Sequence, residues 1–219
     1  MQNNSSRVFL HFVLMFVAAL ACADAGQEEL RGGTASLIIS QSSIGSYLGA
    51  HALCSFISGF LLIATTLGLL QLVALLMFPL QGTFEGAFGT PLYVDVIPSS
   101  YAFHELWATQ PFIYNGIYLI WTAVWGGFSA LLSCGLSLLF KRSRAIGLVS
   151  PTLLFVVAYQ LFPLLLSGGT QYLFYRLSYP SYNVSTAEIP LMMAYPLVLA
   201  ILSLVCFILV AGKRRDICI

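Results

Sequence analysis

Five stretches of the chain are almost free of charge and read as apolar runs: residues 8–24, 53–79, 112–140, 146–166 and 190–211. A helix needs about 20 apolar residues to cross the hydrocarbon core of a bilayer. The last four runs reach that length and the first falls short of it. Polar stretches at 25–51, 81–111 and 167–189 and a tight basic turn at 141–144 separate them. The pattern predicts an all-α fold, a polytopic bundle of about five transmembrane helices. The connecting loops are too small for a separate soluble domain, so residues 1–219 read as one transmembrane domain.

Composition supports this reading. Of 219 residues, 59% are hydrophobic and 8% are charged, and the mean hydropathy is +0.90. Soluble domains carry about 25% charged residues. A net charge of +1 with no basic patch or acidic tail gives no reason to expect a nucleic-acid partner. The cysteines, Cys22, Cys54, Cys134, Cys206 and Cys218, are scattered. They form no CxxC pair and no cluster with His11, His51 or His104, so they read as small apolar packing residues. Glu85, Asp95, His104 and Glu105 share a loop but lack ligand spacing. No catalytic, cofactor-binding or metal site is expected.

Lys and Arg orient membrane helices because short basic loops stay in the cytoplasm. Clusters at 141–144 and 213–215 follow the third and fifth runs, so both should face inside, and counting back puts 25–51 inside as well. All of the nine Lys and Arg residues except Arg7 and Arg176 then lie on the cytoplasmic side. This describes a multi-pass plasma-membrane protein with its N-terminus outside and its C-terminus in the cytoplasm. Asn3, Asn4 and Asn183, each heading an N-x-S triplet, would lie outside. A second reading of the first run stays open: Arg7, the apolar stretch and the small residues around Ala23 also fit a cleaved signal peptide. Cleavage would leave four spans and put both basic clusters outside.

Residues 28–51 read EELRGGTASLIISQSSIGSYLGAH. Gly32 and Gly33 break the chain and Thr34 can cap a helix. Leu37, Ile38, Ile44, Tyr47 and Leu48 then recur at spacings near three, four and seven. The spacing predicts a short amphipathic helix that lies on the membrane face or against a partner.

This segment resembles the first cytoplasmic region of ABC-2 type permeases, the membrane subunits of many ATP-driven exporters. Glu29, Gly33, Thr34, Leu37, Ile38, Tyr47 and Leu48 match a pattern of an acidic residue, Gly-Thr, an apolar pair, a turn and Tyr-Leu before the next span. The chain departs from it at Ile44, where a basic residue is usual, and at His51, where a lysine leads the next helix. Gly126 to Leu132, the basic turn at 141–144 and the basic C-terminus also fit, whereas the usual first of six spans is missing. The resemblance implies a coupling loop at 25–51 that docks on an ATP-binding cassette subunit through Leu37, Ile38, Tyr47 and Leu48, with Glu28, Glu29 and Arg31 at its rim. It also implies a second permease copy or a related permease. No GxxxxGK[ST] phosphate loop is present, so ATP and Mg would be handled by the partner subunit and this chain would bind no cofactor directly.

His11 is the one ionisable residue deep in a run, which argues against an ion-coupled carrier. A pathway lined by apolar and hydroxyl groups, with Thr65, Thr66, Ser129 and Ser133 as candidates, suits an amphipathic, lipid-like or peptide cargo. Trp107, Trp121, Tyr114, Tyr118, Tyr172, Tyr175, Tyr179 and Tyr182 read as an aromatic belt at the outer interface. Gly126, Gly127, Ser133 and Gly135 read as close-packing positions. A non-catalytic membrane scaffold or assembly protein is the alternative function, and a membrane-embedded enzyme ranks behind both.

Overall fold

A computed structural model of the chain describes residues 4–20, 28–29, 32–77, 102–140, 144–165 and 189–215. These residues form helices α1 (Asn4–Leu20), α2 (Thr34–Gln41), α3 (Ile44–Met77), α4 (His104–Thr109), α5 (Pro111–Leu139), α6 (Arg144–Leu165) and α7 (Ile189–Arg215). Among the described residues the fold is all-helical. Three helices are long and apolar enough to cross a membrane, at Ile44–Met77, Phe112–Leu139 and Met193–Lys213. Residues 78–101 and 166–188 lie outside the described residues, and with them most of the two expected outer loops and Tyr172, Tyr175, Tyr179 and Tyr182.

Helix α5 is the hub. Buried residues make up 61% of its apolar window, against 6% for α3. The cause is its run of small side chains, which lets other helices approach on several sides. A Cβ on Gly59 of α3 would lie 2.5 Å from the Ala130 Cβ and 2.8 Å from the Gly126 carbonyl oxygen. One on Gly126 would run into Ile63, and one on Gly127 into the Phe56 ring. On other sides Gly135 accommodates Cys206 and Phe207 of α7, and Gly147 of α6 sits against Ser133 and Ser137.

These contacts fix the directions of the helices. Gly59 meets Gly126, while Tyr47 and Leu48 cluster with Cys134 and Leu138, so α3 runs antiparallel to α5. Helix α7 runs parallel to α5, with Tyr195 at Trp125 and Val210 beside Cys134 and Leu138. Helix α1 is also parallel, with Met15 at Ser129 and Ala19 at Ser133. Helix α6 is antiparallel, with Gly147 near Ser137 and Phe155 among Phe12, Trp125 and Tyr195. One end of the bundle therefore holds α2, the starts of α3 and α6, and the ends of α1, α5 and α7. The basic residues Arg144, Lys213, Arg214 and Arg215 are carried by helix ends on that side.

Two local expectations need correction. The amphipathic helix does not run through to Leu48. It stops at Gln41, Ser42 is extended, and α3 restarts at Ile44. The Ser43 hydroxyl accepts from the Ser46 N–H at 3.1 Å, an N-cap that starts the new helix. Tyr47 and Leu48 thus belong to the long helix, whose 34 residues span about 51 Å at 1.5 Å each. That exceeds a hydrocarbon core of about 30 Å, so α3 extends beyond it. The aromatic belt also fails at Tyr114 and Tyr118, which are only 3% and 2% exposed. They occupy the face of α5 turned toward α1, α6 and α7.

Candidate functional site

At the end of the bundle that carries the basic residues, the chain enters α2 through a turn. The Gly32 N–H donates to the Glu28 carbonyl at 2.8 Å. Gly33 then adopts φ +75°, a left-handed conformation that costs a residue with a Cβ about 1 kcal/mol or more. Thr34 does not cap the helix that it begins. Gly33 is the N-cap, and the Thr34 hydroxyl reaches back to the Glu29 carbonyl at 3.2 Å. This contact and the Gly33 turn hold residues 28–29 against the start of α2.

The Glu29 side chain completes the tie. Its Oε2 accepts from the Tyr47 hydroxyl at 2.9 Å and lies 3.0 Å from Nε2 of His51. Tyr47 and His51 are one turn apart on α3, with their rings edge to face at 4.5 Å. The carboxylate is 36% exposed and the imidazole 14%, so the contact is partly screened by water and is stronger than a surface pair but weaker than a dry one. His51, where the chain departs from the family pattern, still supplies a polar partner. Its helical spacing of four from Tyr47 was the signal in the sequence that could have located this contact.

Below this tie, Ala35, Tyr47 and Leu48 are buried with Cys134, Leu138 and Val210, flanked by Ile39 and Ile44. One side of α2 is therefore seated on the start of α3, in a cluster that residues of α5 and α7 complete. Its other side is not: Leu37 is 65% exposed and Ile38 41%. Beside them a groove of about 460 Å³ is lined by Glu29, Ile38, Tyr47, His51 and Cys54.

Of the residues expected at a coupling interface, Glu29, Gly33, Thr34, Ile38 and Tyr47 come together here. Leu37 projects outward and Glu28 is exposed, while Leu48 is buried beneath the segment. Arg31 lies outside the described residues. The four candidate pathway hydroxyls do not converge. Thr65 and Thr66 are on the exposed face of α3, where they donate to Leu61 and Leu62 carbonyls of their own helix at 2.7 Å. Ser129 and Ser133 are sealed between α5 and α1, bonded to Met15 Sδ at 3.0 Å and the Ala19 carbonyl at 3.3 Å. Among the described residues no group of His, Cys, Asp and Glu is placed to hold a metal ion. No protein-family model, curated protein or solved structure matches the chain.

Proposed function

We propose that this chain is the membrane subunit of an ATP-driven exporter of the ABC-2 permease kind. It moves an amphipathic, lipid-like or peptide cargo with ATP hydrolysed by a separate subunit. The observation that carries this reading is the seating of α2. Glu29, Gly33, Thr34, Tyr47 and Leu48, the residues behind the resemblance, tie or seat a helix whose Leu37 and Ile38 remain exposed. Such a helix can transmit a push from a docked partner to α3 because its buried side packs in the same cluster as the first turns of α3. Rigid-body tilting of packed helices is an established mode of switching.

In this reading α1 and α6 join the three longest helices as spans, and the end bearing α2 and the C-terminus is cytoplasmic, in the plasma membrane. The hydroxyl that Ser133 donates to the Ala19 carbonyl supports a retained α1. A second permease copy would complete the pathway against α3, where Thr65 and Thr66 are exposed. An enzyme reading is weaker. His51 is engaged with Glu29, and Cys54, one turn on, has no hydrogen bond to it among the described residues.

Purification of the full chain in mild detergent tests the reading. An ATP-hydrolysing subunit should accompany it and should be lost from the Leu37→Asp/Ile38→Asp variant while helical content is retained. A scaffold without transport function would purify with no ATPase.

A further inference from the structure

Cys54 is not the packing residue that its apolar surroundings in the sequence suggested. Cys134 and Cys206 are buried, whereas Cys54 is exposed with a free thiol. It lines the groove beside α2 together with Glu29, Tyr47 and His51. Other polar groups of that groove are already engaged. The Tyr47 hydroxyl and Nε2 of His51 both reach Oε2 of Glu29, and the Ser42 hydroxyl donates to the Ile38 carbonyl at 2.8 Å. The thiol is the nucleophile left over.

A base stands beside it. Cys54 follows His51 by three residues on α3, a spacing that makes their side chains neighbours on the helix surface. A carboxylate can only accept, so Nε2 of His51 donates to Glu29 and Nδ1 keeps its lone pair. A thiol, an adjacent imidazole and a third group that orients the imidazole are the parts of an activated nucleophile.

The groove also lies near the boundary between water and hydrocarbon. From Cys54 to its end at Met77, α3 covers about 35 Å at 1.5 Å per residue, close to the thickness of a hydrocarbon core, about 30 Å. Ile57 and Leu61, three and seven residues on, share the face of Cys54 and are 44% and 52% exposed. A chain bonded to the sulfur would run along this apolar track into the bilayer.

We propose that Cys54 is a site of S-acylation by a long-chain acyl thioester of coenzyme A. The thiol gives its proton to Nδ1 of His51 and the sulfur attacks the thioester carbonyl. A new carbon–sulfur bond forms, the bond to the coenzyme's sulfur breaks, and the departing thiolate takes the proton from the imidazolium. No oxidation or reduction is involved. The acyl chain lies along Ile57 and Leu61 and anchors the groove at the membrane surface. Supply of the thioester from the cytosol rests on the cytoplasmic placement of the end bearing α2; the reaction requires this chain alone.

The test incubates the full chain, carrying Cys22→Ser and Cys218→Ser, with palmitoyl-coenzyme A in nanodiscs. Intact mass should show one acyl group, released by neutral hydroxylamine and absent once Cys54→Ser is added. Leu53→Cys combined with Cys54→Ser moves the thiol to a position two residues from His51, which does not face it. That thiol should react at least tenfold more slowly. His51→Ala should slow acylation of Cys54 at least tenfold, and added imidazole should restore the rate. No adduct while a maleimide still labels Cys54 would overturn the proposal. So would equal rates at positions 53 and 54, the behaviour of an ordinary exposed thiol. A His51→Ala rate that is unchanged, or that imidazole does not restore, would overturn it as well. Acylation without any co-purifying ATPase removes the exporter reading alone. A co-purifying ATPase without acylation removes this site alone.

Discussion

Nε2 of His51 lies 3.0 Å from Oε2 of Glu29, an oxygen that also accepts from the Tyr47 hydroxyl. One carboxylate thus joins the stretch before α2 to the first turns of α3, across a gap of 22 residues. The Gly33 turn brings Glu29 into reach, and the Ser43 cap sets the register of α3 so that Tyr47 and His51 share a face.

Replacing Glu29 by Ala removes both bonds. For a partly exposed cluster the loss is about 1 kcal/mol, which corresponds to about fivefold faster amide exchange across Thr34–Gln41. Exchange in the middle of α5 should not change. Mass-spectrometric exchange on the purified chain reads both regions at once, and equal protection of Thr34–Gln41 in both proteins would contradict the tie.

Gly33 needs its positive φ. Gly33→Ala should therefore destabilise the turn by about 1 kcal/mol, and Gly33→Asn by clearly less, since Asn tolerates the left-handed region. Replacing Gly33 and Thr34 together should raise the ATP consumed per cargo moved while the spans stay folded. An unaltered ratio in reconstituted vesicles argues against α2 as the transmitting element.

The helix crossings predict a contrast between glycines. A Cβ at Gly59 meets Ala130 and the Gly126 backbone, whereas one at Gly116 meets nothing within 4 Å. Gly59→Ala should cost about 1–3 kcal/mol and lower Tm. Gly116→Ala should be neutral or slightly stabilising, because Ala is the better helix former. Comparable Tm values for the two variants would mean that α3 and α5 do not approach as closely as described.

The long helices were legible because apolar runs of membrane length leave few alternatives, and the basic residues at their ends marked which ends belong together. Gly33 and Thr34 could be picked out, but the role of Thr34 could not. Whether a hydroxyl caps its own helix or reaches back to a carbonyl depends on the turn before it. The break at Ser42 was hidden since apolar residues recur at helical spacing on both sides, and only the cap by Ser43 distinguishes one helix from two. Tyr114 and Tyr118 misled for a different reason. Aromatics near the start of a span suit a lipid interface or a bundle interior equally well, and the choice is made by neighbours far along the chain, here Phe155, Tyr195 and Met15. The pathway hydroxyls could not be ordered at all, because hydroxyls along one helix say nothing about which neighbour each will meet.

Exposure of Leu37 beside a groove also predicts a dependence on chemistry rather than shape. Leu37→Met should leave partner retention unchanged, while Leu37→Asp should reduce it at least tenfold, since docking would bury an unpaired charge in an apolar contact. Quantitative co-purification of the ATPase with each variant checks this, and equal retention would move the docking surface elsewhere.

The most direct measurement places a photoactivatable side chain at position 37 of the full chain, with position 61 on the exposed face of α3 as the control, and irradiates intact cells. The account predicts a crosslink from position 37 to a subunit that binds and hydrolyses ATP, and none to that subunit from position 61. A position-37 adduct formed only with lipid, or with proteins that do not bind ATP, would contradict it.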